Sequence, residues 1–204
     1  MSRTQKNITW LTIFFGVFIW SAIHPKDYPT WMLEVAPAVI ALVVMAFTRK
    51  TFSLTPLLYG LILMHSIILM IGGHYTYAEV PLFDWLKEVF DLQRNNYDKL
   101  GHLVQGMVPA MAAREILLRV TLLMPGKMLF FIVCCIALAI SALYELIEWW
   151  VALLSADAAD AFLGTQGYVW DTQSDMFFAL IGSVVAQIVF SRLHNSQLKS
   201  LINH

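Results

Sequence analysis

Two stretches decide the fold: WMLEVAPAVIALVVMAFT at residues 31–48 and TPLLYGLILMHSIILMIGG at residues 55–73. Each is long enough to cross the roughly 30 Å hydrocarbon core of a bilayer as a helix. The first carries a single acidic residue, Glu34, and the second none. Working outward, four more apolar segments fall at about 8–23, 100–119, 128–152 and 173–192. The expected fold is therefore all-α, a polytopic bundle of about six transmembrane helices forming one domain over residues 1–204. The segment at 100–119 is interrupted by Pro109, Arg114 and Glu115, and needs protein neighbours to sit in lipid. Loops at about 74–99 and 153–172 are the only room for structure outside the membrane.

Composition agrees. Hydrophobic residues make up 59% of the 204 and charged residues only 13%, about half the share usual in a soluble domain. Mean hydropathy is +0.67. A net charge of −1 offers no basic field for nucleic acid, so the expected surroundings are membrane lipid. Cys134 and Cys135 are adjacent in an apolar run, where a disulfide between them is disfavoured, and they define no redox compartment. Arg3 and Lys6 precede the apolar run from Ile8 to Ile23 in the manner of a signal peptide. No small-residue cleavage site follows, and the run enters His24-Pro25, so a retained first helix is expected.

Basic residues set the expected orientation. Six crossings place nine lysines and arginines on the side of the termini and four (Lys26, Lys87, Arg94, Lys99) on the other. The excess puts both termini in the cytoplasm, with the opposite side facing the periplasm or extracellular space. Acidic residues, which play no part in that assignment, then segregate: of 14, only Glu115 falls on the cytoplasmic half. Trp31, Trp149, Trp150 and Trp170 fit an aromatic belt at the opposite, acidic face.

That face collects groups suited to metal chemistry. Asp98 and His102, with Lys99 between them, open one helix at i, i+4 spacing. Glu145 and Glu148 close another at i, i+3, and Asp171 and Asp175 open a third at i, i+4. Each pair shares a helix face, and bundles build metal sites from carboxylates and imidazoles projected inward in this way. The candidate ligands are Asp98, His102, Glu145, Glu148, Asp171 and Asp175. Such a set suits Mg²⁺, Mn²⁺ or Zn²⁺. Glu145 or Glu148 would act as general base, His74 would sit at the rim, and Lys99 would steady a phosphate. The plainer alternative makes Asp98 and Asp175 first-turn caps, with Asp98 paired to Lys99 or Arg94. Against it stands the Glu145/Glu148 pair, expected at a helix C-terminus where the dipole disfavours anions.

Other features read as packing. Gly72-Gly73-His74-Tyr75 reads as a helix stop, and Gly101, Gly106 and Ala110 as close helix contacts. Gly164-Thr165-Gln166-Gly167 reads as a turn, and His194 and His204 as tail residues without a role.

The motifs at 73–77 (GHYTY), 97–102 (YDKLGH), 144–149 (YELIEW) and 171–175 (DTQSD) resemble those of the YjdF family of bacterial inner-membrane proteins. The resemblance covers the whole chain and implies a multi-pass inner-membrane protein; it supplies no reaction. A looser similarity, over about 95–190, runs to VanZ-like membrane proteins. Asp98, Lys99 and His102 match their first element, Glu145 or Glu148 their second, and Asp175 with Gly182 their third. Ala179 stands where that family tends to have asparagine, and the arginine expected before the aspartate is missing, so no link to antibiotic resistance is carried over.

Three functional expectations follow. The first is binding of a divalent cation at the acidic face, for hydrolysis or group transfer on a lipid-linked substrate. The second is a small transporter or ion-conducting protein, for which only Glu34, His65 and Arg114 lie deep enough. The third is a structural protein whose charged loops dock a partner.

Overall fold

The computed structural model describes residues 2–154 and 166–202, and every regular element among them is a helix. The helices are α1 (Arg3–Ala22), α2 (Tyr28–Thr48), α3 (Pro56–Tyr75), α4 (Pro81–Val89), α5 (Tyr97–Val120), α6 (Lys127–Leu154) and α7 (Asp171–Ile202). Asp157, Asp160, Gly164, Thr165 and His204 lie outside the described residues.

Local chemistry sets the helix starts. The Asp27 side chain accepts from Thr30 N at 2.8 Å, and Pro29 follows in the first turn of α2. Thr55 and Pro56 start α3 in the same way. Thr76, at φ 59°, ends α3 with its N–H on Gly72 O, so the helix stops just beyond the glycine pair rather than at it.

The polarity of the bundle is inverted relative to a water-soluble one. Phe47, Ile40, Phe131 and Ile188 face outward, while Glu34, Lys99, His102, Glu115, Glu145, Glu148, Asp171 and Asp175 are buried. Lipid is the solvent that makes such an arrangement stable. Four helices (α2, α3, α6, α7) are long and apolar enough to cross a membrane. The structure supports a multi-pass helical protein; α1 and α5 fall outside that group of four. In α5 the reason is visible in Asp98, Lys99, Arg114, Glu115 and Arg119, all within one helix.

The six long helices alternate in direction. Trp10 Nε1 donates to Tyr59 O and His74 Nδ1 meets Ser21 O, so α1 and α3 run the same way. Tyr97 Oη donates to Ile68 O while Thr55 bonds Glu115, so α5 runs against α3. Ala110 of α5 packs on Val133 and Ala137 of α6, with His102 opposite Glu145 at the other end, so α6 runs against α5. The broadest contact joins α5 and α7, which run in parallel. A Cβ on Gly106 would overlap the Ala179 backbone, and one on Gly182 the Leu103 carbonyl. Glycine at both points lets the two backbones touch.

Three expectations need correction. α6 continues at least to Leu154, so Glu145 and Glu148 stand inside the helix and not at its C-terminus. The dipole argument for them therefore fails, and their burial at 8% exposure each replaces it. α7 runs ten residues past the expected end at 192, because its last turns pack against α5 and α3 rather than entering water. His194 is consequently buried, with Nε2 3.0 Å from Glu115 Oε2 and Nδ1 2.6 Å from Arg114 Nη1. Thr55 and Arg119 complete that network at the end of the bundle opposite the acidic cluster. The helix α4 lies within the stretch at 74–99, where the sequence leaves room for structure outside the membrane.

Candidate cation site at the acidic end

The starts of α5 and α7 and the last third of α6 converge at one end of the bundle. The parallel contact between α5 and α7 sets Lys99 beside both aspartates of α7. Its Nζ lies 2.7 Å from Asp171 Oδ1, 2.6 Å from Asp175 Oδ1 and 3.6 Å from Asp98 Oδ2. Arg94, just before α5, hydrogen-bonds Asp171 and reaches Asp98 Oδ2 at 3.4 Å. Asp171 and Asp98 are thus each reached by both cations; Asp98 turns its other oxygen, Oδ1, toward His102, and the Asp175 oxygen nearest His102 is the one that accepts from Lys99.

His102 is the centre of the arrangement. Its Nδ1 lies 2.8 Å from Gln105 Oε1, and its Nε2 lies 3.4 Å from Asp98 Oδ1 and 4.0 Å from Asp175 Oδ1. A carboxamide oxygen accepts only, so Nδ1 carries the proton in that bond. In the neutral ring, Nε2 then presents its lone pair to the two aspartates. Asp98, His102 and Asp175 each offer one ligand atom, all within 4.8 Å of one another.

Glu145 approaches from α6, with Oε1 3.8 Å from His102 Nδ1. That oxygen is buried and has no hydrogen-bond partner, although the residue is only 8% exposed. A bare carboxylate oxygen in such a place is costly unless a proton or a cation meets it. Charge points the same way: five carboxylates (Asp98, Asp171, Asp175, Glu145, Glu148) face two fixed cations, Arg94 and Lys99. The donor set of carboxylate oxygens and one imidazole therefore fits a divalent cation.

A cavity of about 140 Å³ adjoins the cluster, between α2, α3, α5 and α6. Asp98, His102 and Glu148 line it beside the cluster, and Glu34, Tyr144 and His65 line it further in. Tyr144 Oη donates to Glu34 Oε2 at 3.1 Å, and His65 Nε2 is buried without a partner.

The structure thus brings together Asp98, Lys99, His102, Glu145, Asp171 and Asp175, with Glu148 on the adjoining cavity wall. His74 is elsewhere, packed at a tilt against Trp20 and bonded to Ser21 O in the seam between α1 and α3. Sequence reasoning passes over Gln105, whose i, i+3 spacing from His102 is its only signal. It also gives Arg94 no part beyond pairing with Asp98, because nothing local reveals that Asp171 lies beside it.

Fold and site together define a multi-pass helical membrane protein with a buried, carboxylate-rich polar centre at one end. Residues 7–196 match the family described as "Predicted membrane protein (DUF2238)", and the chain belongs to that family. It is similar to the Inner membrane protein YjdF of Escherichia coli (strain K12), with 51% identity over 203 residues, covering 98% of this chain and 97% of the relative. With the apolar helices, this places the chain in the inner membrane. No solved structure matches it.

Proposed function

We propose that the protein binds a divalent cation at the acidic end of a bundle of six membrane crossings, with both termini cytoplasmic. One observation carries the reading: Asp98, His102 and Asp175 gather their ligand atoms within 4.8 Å, next to the unpartnered Oε1 of Glu145. The alternating direction of the six long helices and the nine-to-four distribution of basic residues support the topology. On it, the acidic end faces the periplasm.

Asp98, His102 and Asp175 would hold the ion, with Glu145 beside them on the Nδ1 side of the ring, and the ion would supply Lewis-acid polarisation of a phosphoryl or acyl oxygen. Glu148, on the cavity wall beside His102, is placed to take a proton from an attacking hydroxyl. Asp171 serves by holding Arg94 and Lys99 in position. A lipid-linked substrate, reaching the site from the bilayer, would undergo hydrolysis or group transfer there.

Elemental analysis of the detergent-purified protein tests this, with an Asp98→Asn, Glu145→Gln double variant beside it. Stoichiometric metal in the wild type, lost in a folded variant, is the expected result. No metal after incubation with excess Mg²⁺, Mn²⁺ and Zn²⁺ would refute it.

A second reading rests on the deeper cavity wall. Glu34 and His65 belong to α2 and α3, and a cavity that carries ionisable side chains from the acidic end to these two residues is an arrangement an ion-conducting or proton-coupled transporter can use. Ion flux in proteoliposomes that disappears in His65→Ala, with metal content unchanged, would favour it.

A further inference from the structure

The short helix α4, PLFDWLKEV, is built inside out. Leu82, Trp85 and Val89 occupy its outward side at i, i+3, i+7 spacing, with exposures of 62%, 57% and 55%, and Phe90 extends that surface. The inward side holds Asp84, whose Oδ1 accepts from Asn95 Nδ2 at 2.9 Å, and Phe83, which packs edge-on against Tyr97. A helix on a water-facing surface shows the opposite order. Its four large apolar side chains form one patch on nine residues plus the cap.

The position of α4 fixes what covers that patch. It joins the end of α3 to the start of α5, and so lies at the acidic end of the bundle. Trp149, Trp150 and Trp170, on α6 and before α7, are also exposed at that end, as an interfacial belt requires. Trp85 and Phe90 continue the same aromatic composition.

We infer that α4 lies in the membrane interface at the acidic end, with Leu82, Trp85, Val89 and Phe90 inserted among the lipids of that leaflet. Amphipathic helices with bulky apolar faces bind at the level of headgroups and upper acyl chains in this way. The helix is also rigidly joined to the site. Asn95, fully buried, donates to Val80 O at 3.1 Å and to Asp84, accepts from Tyr97 N at 3.1 Å, and exchanges two hydrogen bonds with Gln166. Arg94, its neighbour, holds Asp171 and Asp98. An inserted α4 therefore seats the carboxylate cluster at headgroup depth. This inference stands on α4's own geometry and does not depend on a cation being bound.

Spin labels at Leu82→Cys, Trp85→Cys and Val89→Cys, one at a time, test it in nanodiscs of phosphatidylethanolamine and phosphatidylglycerol. The background is Cys134→Ala, Cys135→Ala, checked for a wild-type thermal transition, and Lys50→Cys on the hairpin between α2 and α3 is the aqueous reference. Lipid-soluble oxygen should relax the three α4 labels several-fold more, relative to a water-soluble nickel chelate, than it relaxes the reference. A ratio equal to the reference would overturn the inference. So would immobilised labels shielded from both reagents, which would mean that a second copy or another protein covers the face. If the cysteine-free background does not fold, quenching by brominated lipid in the wild type, compared with Trp85→Phe, gives the same answer. A quenched component that Trp85→Phe removes supports insertion, and an unchanged quenched fraction overturns it.

Discussion

The ammonium of Lys99 lies 2.6 Å from Asp175 Oδ1 and ties α5 to α7 in the buried acidic end. With Arg94, it is one of two fixed cations these carboxylates possess without any metal. It stands between Asp171 and Asp175, shares Asp175 Oδ1 with His102, and reaches Asp98 as well.

Replacing Lys99 by methionine keeps the volume of the stem and removes the charge. Three aspartates then lose a counter-ion, and breaking a buried pair from one side costs about 3–5 kcal/mol. The metal-free Lys99→Met variant should melt well below the wild type in detergent. Added Mn²⁺ should raise its transition by more than it raises that of the wild type, because a more negative site attracts a cation more strongly. A variant destabilised equally with and without Mn²⁺ would count against cation binding beside Lys99.

The contact between α5 and α7 offers a test with an internal control. Gly106→Ala places a methyl group on the Ala179 carbonyl, so the two helices must separate. Overpacking of this kind costs about 1–3 kcal/mol, and the shift also parts Asp98 and His102 from Asp175. Thermal stability and metal content should fall together. Gly60 sits in α3, and a methyl group added there would meet nothing within 4 Å. Gly60→Ala should be neutral or stabilising by about 0.5–1 kcal/mol.

How much of this is legible in sequence follows from what each signal measures. The hydropathy of 31–48 and 55–73 marks spans directly, because a bilayer imposes length and apolarity on consecutive residues. The spacing of Asp98 with His102, and of Asp171 with Asp175, shows shared helix faces for the same local reason. That α5 and α7 lie in parallel contact is a tertiary fact: Gly106 reads in sequence as a close helix contact, but nothing local names Ala179 or α7 as its partner. Asp171 therefore reads as a ligand in sequence, although Arg94 and Lys99 occupy it. His194 reads as a tail residue because hydropathy weakens after Phe190, while the helix persists through a buried polar network that no apolar pattern records.

That network should matter for stability and leave the site untouched. His194 joins Glu115 to Arg114, and its removal takes one hydrogen-bond partner from each buried charge while Arg119 and Thr55 stay on Glu115 and Asn195 on Arg114. His194→Ala should cost about 1.5–3 kcal/mol in stability, the scale of a lost hydrogen bond to a charged group. Lys99 and Glu115 are separated by 16 residues of helix, roughly 24 Å at the α-helical rise, so the variant should keep its metal. Metal lost from a folded His194→Ala protein would mean that the two ends of α5 are coupled.

Gln105 gives the sharpest separation between a cation site and a plain salt-bridge cluster. Its Oε1 accepts from His102 Nδ1, so that in the neutral ring the Nε2 lone pair faces Asp98 and Asp175. Partners of this kind typically contribute 10- to 100-fold, as an order of magnitude, to metal affinity while touching no metal. Gln105→Leu should therefore weaken metal binding by about that factor. Gln105→Glu, which still accepts from Nδ1, should retain most of it. If His102 serves only as a charged partner of Asp98, Gln105→Leu would change the thermal transition alone, and the two variants would hold the same amount of metal. Titration with Mn²⁺, followed by its electron paramagnetic resonance signal, reads the affinity without any knowledge of the substrate.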